Sequence, residues 1–348
     1  MPYSSMFTHS VPVNESAVEG FDRLVQYHIV NSSLGAVCMT INFALLGVFL
    51  GYPPFRRKYQ LLILLAVGDT INGLAIILTG LNRVYLYATA LETYTLPVRT
   101  PWECAVETWL IMKLIGDLLL PITTLCMGVE RLLAILCPIF YHQHLDGRPL
   151  KIIVSCGTCL TFVTISMGAA FLIAAYKEHE HDSAMYYCGR KAAFGDEFGA
   201  FIYTHNIVCN VLAAIFSLAA YVKARRMVKT QTRMQRQLGL IKNYFIISIV
   251  STALVSLPNA IHLFQVYVKE LSNSISKPAY WAQTVNSGIH FFVYLALNSE
   301  FRTRVREIFY PPNKTPETGE KHRLIKASPT GAEHRNGSLP KDGGPSEL

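Results

Sequence analysis

Glu130-Arg131-Leu132-Leu133-Ala134-Ile135-Leu136-Cys137-Pro138-Ile139-Phe140-Tyr141 sets a charge pair near the end of a long apolar run and then stops the run with a proline. Charged side chains are costly in the middle of a bilayer and cheap at its edge. The segment before Glu130 therefore reads as a membrane helix ending at the water interface.

The composition around that stretch agrees. Of 348 residues, 51% are hydrophobic and only 16% are charged, and the mean hydropathy is positive, which is too apolar for an ordinary soluble domain of this size. A bilayer core of about 30 Å needs about 20 apolar residues per helix. Runs at 27–50, 60–81, 108–136, 150–176, 199–222, 240–266 and 280–298 qualify. They lack the alternation of an outer-membrane barrel strand. No basic flank precedes the first run and no small-residue cleavage site follows it, so no removable signal peptide is expected. The fold class expected is an all-α membrane protein: a seven-transmembrane helix bundle with a short amphipathic eighth helix.

Basic residues set the orientation. With the amino terminus outside, 22 of the 31 Lys and Arg fall in inner loops and the inner tail, among them Arg56, Arg57, Lys58, Arg148, Lys151 and the dense stretch from Lys223 to Arg236. Arg83 and Arg190 count among the outer ones, and Lys113 falls within a span. The net charge of +8 is thus mainly a topology signal, and no nucleic-acid partner is expected. The basic stretch after the fifth run reads either as topology signal with lipid headgroup contact or as a docking surface for a cytoplasmic partner. The organisation expected is an outer tail over 1–26, a bundle over 27–298, the eighth helix over 299–310 and a disordered inner tail over 311–348, rich in Gly, Pro, Lys, Glu and Ser. Asn14-Glu15-Ser16 is a glycosylation sequon on the outer tail.

Six of the eight cysteines lie within or at the ends of apolar runs, where cysteine acts as a small hydrophobe. Cys104 and Cys188 are left on the oxidising outer side, where they are expected to pair and pin the second outer loop over the third helix. In the same loop, Lys177-Glu178-His179-Glu180-His181-Asp182 reads as a solvated segment and not as a metal site. No metal or other cofactor is expected.

Polar residues inside the runs are the candidate site. Asn42 lies in the first run. Asp69, about ten residues into the second, must face the protein interior or an aqueous cavity because lipid offers it no partner. It is either a functional group or a structural acid knitting helices together. On the third helix Lys113, Asp117, Thr124, Gly128 and Arg131 fall along one face. At 1.5 Å per residue, Asp117 lies about 21 Å outward of Arg131 and Lys113 about 27 Å. Lys113 and Asp117, four apart, form either a mutually neutralised pair or a ligand contact. Pro258 in the sixth run removes a backbone hydrogen bond and kinks its helix, as a pivot or as a static bend. The seventh run holds Asn286, Ser287, His290 and Tyr294. Beyond it Phe301, Val305, Ile308 and Phe309 alternate with Arg302, Arg304 and Arg306 at amphipathic helical spacing.

Taken in order, these features resemble the rhodopsin-like G-protein-coupled receptors over about residues 25–310. Glu130-Arg131 with Ala134, Ile135, Pro138 and Tyr141 is similar to the acid-Arg-Tyr motif and its continuation. Leu65-Ala66 with Asp69 resembles the helix-two motif, Asn42 the helix-one asparagine, and Cys104 with Cys188 the outer disulfide. Pro258 resembles the helix-six proline, Tyr294 the tyrosine closing the helix-seven motif, and Asn298, Phe301 and Arg302 the junction into the eighth helix. The chain departs from the pattern at Leu132, at Val255-Ser256 before Pro258, and at His290-Phe291 in helix seven. The helix-seven string from Asn286 to Tyr294 looks most like nematode serpentine chemoreceptors.

The resemblance implies a plasma-membrane receptor that binds an extracellular small-molecule or peptide ligand and activates a heterotrimeric G protein. It implies no catalysis. Glu130, Arg131, Pro258 and Tyr294 would serve activation, with Arg131 held by Glu130 at rest. Asp69 with Asn286 and Ser287 would be a sodium site, weakened by Leu120 where a hydroxyl often helps. Lys113, at the position where amine receptors carry a carboxylate, disfavours a monoamine and permits an anionic or carbonyl-bearing ligand. Against this stand a seven-span transporter or channel, for which no inverted repeat or broken helix is found, and a membrane enzyme, for which no mid-span His and Asp cluster is found.

Overall fold

The computed structural model describes residues 10–145, 149–180, 186–228, 234–268 and 273–310. The tail from 311 onward and part of the basic stretch after Lys223 lie outside the described residues, as do His181 and Asp182. The chain opens with a short strand β1 (Ser10–Pro12), followed by α1 (Phe21–Gly51) and the short α2 (Pro53–Lys58). Next come α3 (Gln60–Thr93), strand β2 (Thr95–Pro97), the short α4 (Pro101–Ala105), α5 (Thr108–Leu136) and the short α6 (Pro138–His144). The second half comprises α7 (Pro149–His179), α8 (Arg190–Val228), α9 (Met234–Ser251), α10 (Leu257–Val268), α11 (Asn273–Leu297) and α12 (Ser299–Phe309).

Among the described residues six helices have the length and hydropathy to cross a membrane: α1, α3, α5, α7, α8 and the continuous α9–α10 unit. α11 is the seventh long helix and packs against α1 and α10. Its Asn286, Ser287 and His290 lower its hydropathy, and they are buried inside the bundle. Several helices outrun the apolar segments. α1 begins at Phe21 instead of 27, and α3 continues to Thr93, twelve residues past the end of its apolar run. These extensions are buried against one another. Phe21, Leu86, Tyr87 and Ala90 form a small core above the main one. There β1 and β2 pair antiparallel, with Val11 opposite Leu96, and tie the amino-terminal segment to the first outer loop.

The main core has two parts, named outer and inner after the expected topology. In the outer part Trp109, Leu110, Leu114 and Leu118 of α5 meet Phe194, Phe198 and Ile202 of α8. In the inner part Phe49, Phe55, Tyr59, Met127, Tyr294 and Phe301 close the bundle. Gly128 lets α5 approach α8, since a Cβ there would lie 3.0 Å from the Ala213 Cα.

α8 is interrupted at Gly195, whose φ of 84° only glycine adopts easily. α9 and α10 join through a single widened turn over Thr252–Ser256, directly before the buried Pro258. Such a turn and a proline are two standard causes of a bend. Asn298 caps α12, its side chain accepting from Phe301 N at 3.1 Å, and Phe301 is fully buried while Ile308 and Phe309 are exposed. Lys58 reaches Glu300 at 2.6 Å. Burial opposes the Lys58 charge, but Glu300 and Tyr59 outweigh it, so its pKa is raised.

Candidate functional site

The polar residues picked out along the helices fall into three layers, of which the outer and the inner are built on α5. In the outer layer Lys113 Nζ lies 3.0 Å from Asp117 Oδ1 and donates to Asn72 Oδ1 at 2.9 Å. Asp117 is also held by Arg190 Nη1, at 2.6 Å from Oδ2. One carboxylate thus serves two cations, and a net positive charge remains among side chains that are less than a fifth exposed. The Arg190 guanidinium lies 5.0 Å from the Tyr203 ring centre, an additional cation–π contact.

Sequence reasoning assigned Arg190 to the outer loop. The structure corrects this. Cys104 and Cys188 are joined by a disulfide, which brings the loop to the top of α5. Arg190, two residues further on, then enters the bundle beside Asp117. Arg83 likewise turns inward and is buried, with Nη2 donating to the Cys188 carbonyl oxygen.

In the middle layer Asp69 is completely enclosed. His290 Nδ1 is 3.1 Å from Asp69 Oδ2, and His290 Nε2 is 3.2 Å from Ser251 Oγ. Asn42 Nδ2 donates to the Ser287 carbonyl at 2.8 Å, and Asn72 Nδ2 to Ser287 Oγ at 3.4 Å. Asp69, Asn286 and Ser287 line a cavity of about 40 Å³, room for a water or a small ion. Asp69 Oδ1 and Asn286 Oδ1 are buried there without a hydrogen-bond partner, and oxygen acceptors of this kind suit a hard cation. His290 holds the other Asp69 oxygen, however, and a protonated imidazole is itself a cation for that carboxylate. The three residues assigned to a sodium site are therefore together, with a competitor the assignment did not include.

The inner layer overturns one expected pairing. Arg131 does not touch Glu130. Its Nη1 donates to the Met127 carbonyl at 3.1 Å, and its Cζ sits 3.3 Å from the centre of the Tyr244 ring on α9. Glu130 instead meets Lys151 of α7 at 2.5 Å and accepts from the Tyr141 hydroxyl at 2.7 Å. Adjacent residues on a helix point about 100° apart and do not face each other, so each finds a partner on a different neighbour. Arg131, Glu130, Tyr141, Lys151, Ile241 and Tyr244 line a cavity of about 260 Å³. Tyr294 is buried below it, packed edge-on against Phe49 and near the Tyr244 ring. Tyr244 was missed because nothing local marks it. It matters only once α9 is folded against α5.

Asn14 is exposed at the start of the short turn Glu15–Ala17. Among the described residues no group of His, Cys, Asp and Glu is arranged to hold a metal.

Residues 36–309 match the family model described as serpentine type 7TM GPCR chemoreceptor Srsx. No curated protein matches the chain significantly. That match covers more than three quarters of the chain, over the same α1–α12 frame that carries the three polar layers. With its membrane-crossing helices, the chain is a multi-pass membrane protein of a receptor class, and it belongs to the Srsx family of serpentine seven-transmembrane chemoreceptors.

Proposed function

We propose that the chain is a seven-span plasma-membrane chemoreceptor. Its amino terminus is outside, α11 is the seventh span, and α12 is an amphipathic eighth helix on the inner membrane surface. A small anionic or carbonyl-bearing molecule reaches the outer layer, where Lys113 and Arg190 share Asp117. The inner cavity around Arg131 receives a heterotrimeric G protein.

The observation that supports this reading is that one continuous helix, α5, carries both ends. Asp117 lines the same small polar cavity as Asp69, and Arg131 the inner one, 14 residues or about 21 Å apart. A ligand that takes over part of the Asp117 ion pairing favours one position of α5 and α8. Arg131 then leaves the Tyr244 ring as α9 swings about the widened turn before Pro258, the kind of two-state element a ligand biases.

The test is a panel of small carboxylic acids, aldehydes, ketones and amines applied to cells that express the chain with a promiscuous Gα reporter. The reading expects dose-dependent signalling from acids or carbonyl compounds. Signalling by amines alone overturns the ligand class, and an extracellular carboxyl terminus overturns the topology.

A further inference from the structure

Arg83 is a buried charge with an unused hydrogen-bond donor. It is 6% exposed, on α3, in the extension beyond the apolar run. Its Nη2 donates to the Cys188 carbonyl, while its Nη1 is buried with no hydrogen-bond partner. Among the described residues no carboxylate lies within ion-pair distance of it. The guanidinium instead sits 5.4 Å from the Trp109 ring centre and 5.1 Å from that of Tyr187. Ring faces offset part of the desolvation of a cation, but a buried charge is fully compensated only by an opposite charge with good hydrogen bonds. Lys113 and Arg190 differ in this respect, since both have Asp117.

Beside Arg83 lies a cavity of about 300 Å³ between α1, α3, α11 and the second outer loop. Its walls include Tyr27, Thr79, Tyr87, Tyr187 and Tyr280. The volume suits a small organic molecule. Aromatic walls favour a planar apolar body, and a guanidinium with one free nitrogen favours a carboxylate oxygen, the charge-assisted pairing for which arginine is best shaped.

We propose that this cavity is a second ligand subsite, which takes a small aromatic carboxylic acid with its carboxylate on the Arg83 guanidinium. The subsite adjoins the Lys113, Asp117 and Arg190 layer across the Tyr280 ring, which lies 6.0 Å from Lys113 Nζ, and it does not depend on G-protein coupling.

The test is direct binding to the purified full-length chain in lipid nanodiscs, with no signalling readout, so failure of the receptor reading leaves it intact. The probes are phenylacetate and indole-3-acetate, each paired with its uncharged primary amide. The subsite predicts saturable binding of an acid and much weaker binding of its amide. Arg83→Gln should weaken acid binding roughly ten- to a hundredfold, the value of one charge-assisted hydrogen bond, and Arg83→Lys should lose less. Thr79→Trp leaves Arg83 in place and fills the cavity, so it should abolish binding. Thr79 hydrogen-bonds only to the Ala75 carbonyl of its own helix, which makes this variant the arbiter if Arg83→Gln does not fold. Equal affinity for acid and amide, unchanged acid affinity in Thr79→Trp or in folded Arg83→Gln, or no saturable acid binding to the native chain overturns the proposal. Loss of acid binding in Arg190→Gln but not in Arg83→Gln also overturns it, by placing the anion in the other layer.

Discussion

The Arg131 guanidinium rests 3.3 Å from the centre of the Tyr244 ring, so the contact that restrains it comes from α9 and not from the acid beside it in sequence. A desolvated cation–π contact stabilises by up to about 2 kcal/mol. Removing the ring while keeping apolar bulk, as in Tyr244→Leu, should raise basal G-protein signalling by up to roughly thirtyfold. Arg131→Ala should abolish ligand-driven signalling while surface expression stays measurable. Both are read with the same Gα reporter, normalised to surface label. A Tyr244→Leu receptor as quiet as the native one argues against the ring as the restraint.

How much of this was legible beforehand depends on how local each feature is. The helices were, because crossing a bilayer is a property of about 20 consecutive residues. Asp69, Lys113, Asp117 and Arg131 were, because a polar group in an apolar run declares itself. The partners were not. Tyr244 lies 113 positions after Arg131, His290 lies 221 after Asp69, and no periodicity links such distances. Arg190 was misplaced because a loop residue's depth is set by what holds the loop, here the disulfide at Cys188, and Arg83 because α3 runs on past its apolar segment. Pro121, inside α5, was passed over, since helices in a bundle tolerate a proline with little outward sign.

The disulfide itself supplies a second prediction. Cys104 and Cys188 close a loop of 84 positions and jointly seat Arg190 and Arg83. Cys104→Ser and Cys188→Ser should therefore give the same loss of surface expression, corresponding to about 2–5 kcal/mol, and the double variant should be no worse. Additive losses in quantitative surface labelling would show that the cysteines act separately.

In the middle layer His290 competes with any cation for Asp69. The thermal unfolding midpoint of the purified native receptor should be the same in sodium chloride as in an equal concentration of choline chloride. His290→Asn removes the competitor but keeps a polar side chain, and should unfold at a higher temperature in sodium chloride than in choline chloride. A native receptor already stabilised by sodium would mean that Asp69 Oδ1 and Asn286 Oδ1 hold the ion despite His290.

The outer layer separates structure from recognition because its three charges are not equivalent. Lys113→Gln leaves Asp117 paired with Arg190, so no buried charge is stranded. This variant should express at close to native level. If the Lys113 ammonium meets the ligand, potency should fall about tenfold or more; an unchanged dose response leaves Lys113 as the structural partner of Asp117 and Asn72. Asp117→Asn does the reverse. It strands Lys113 and Arg190 together in a nearly closed space, where removing one partner of a buried ion pair costs about 3–5 kcal/mol. Asp117→Asn should therefore lower the unfolding midpoint sharply, and Asp117→Asn with Lys113→Gln should recover part of the loss by removing the like-charge repulsion. A double variant no more stable than Asp117→Asn alone would show that the two cations do not repel each other once Asp117 is gone, and the shared-carboxylate account of this layer would fail.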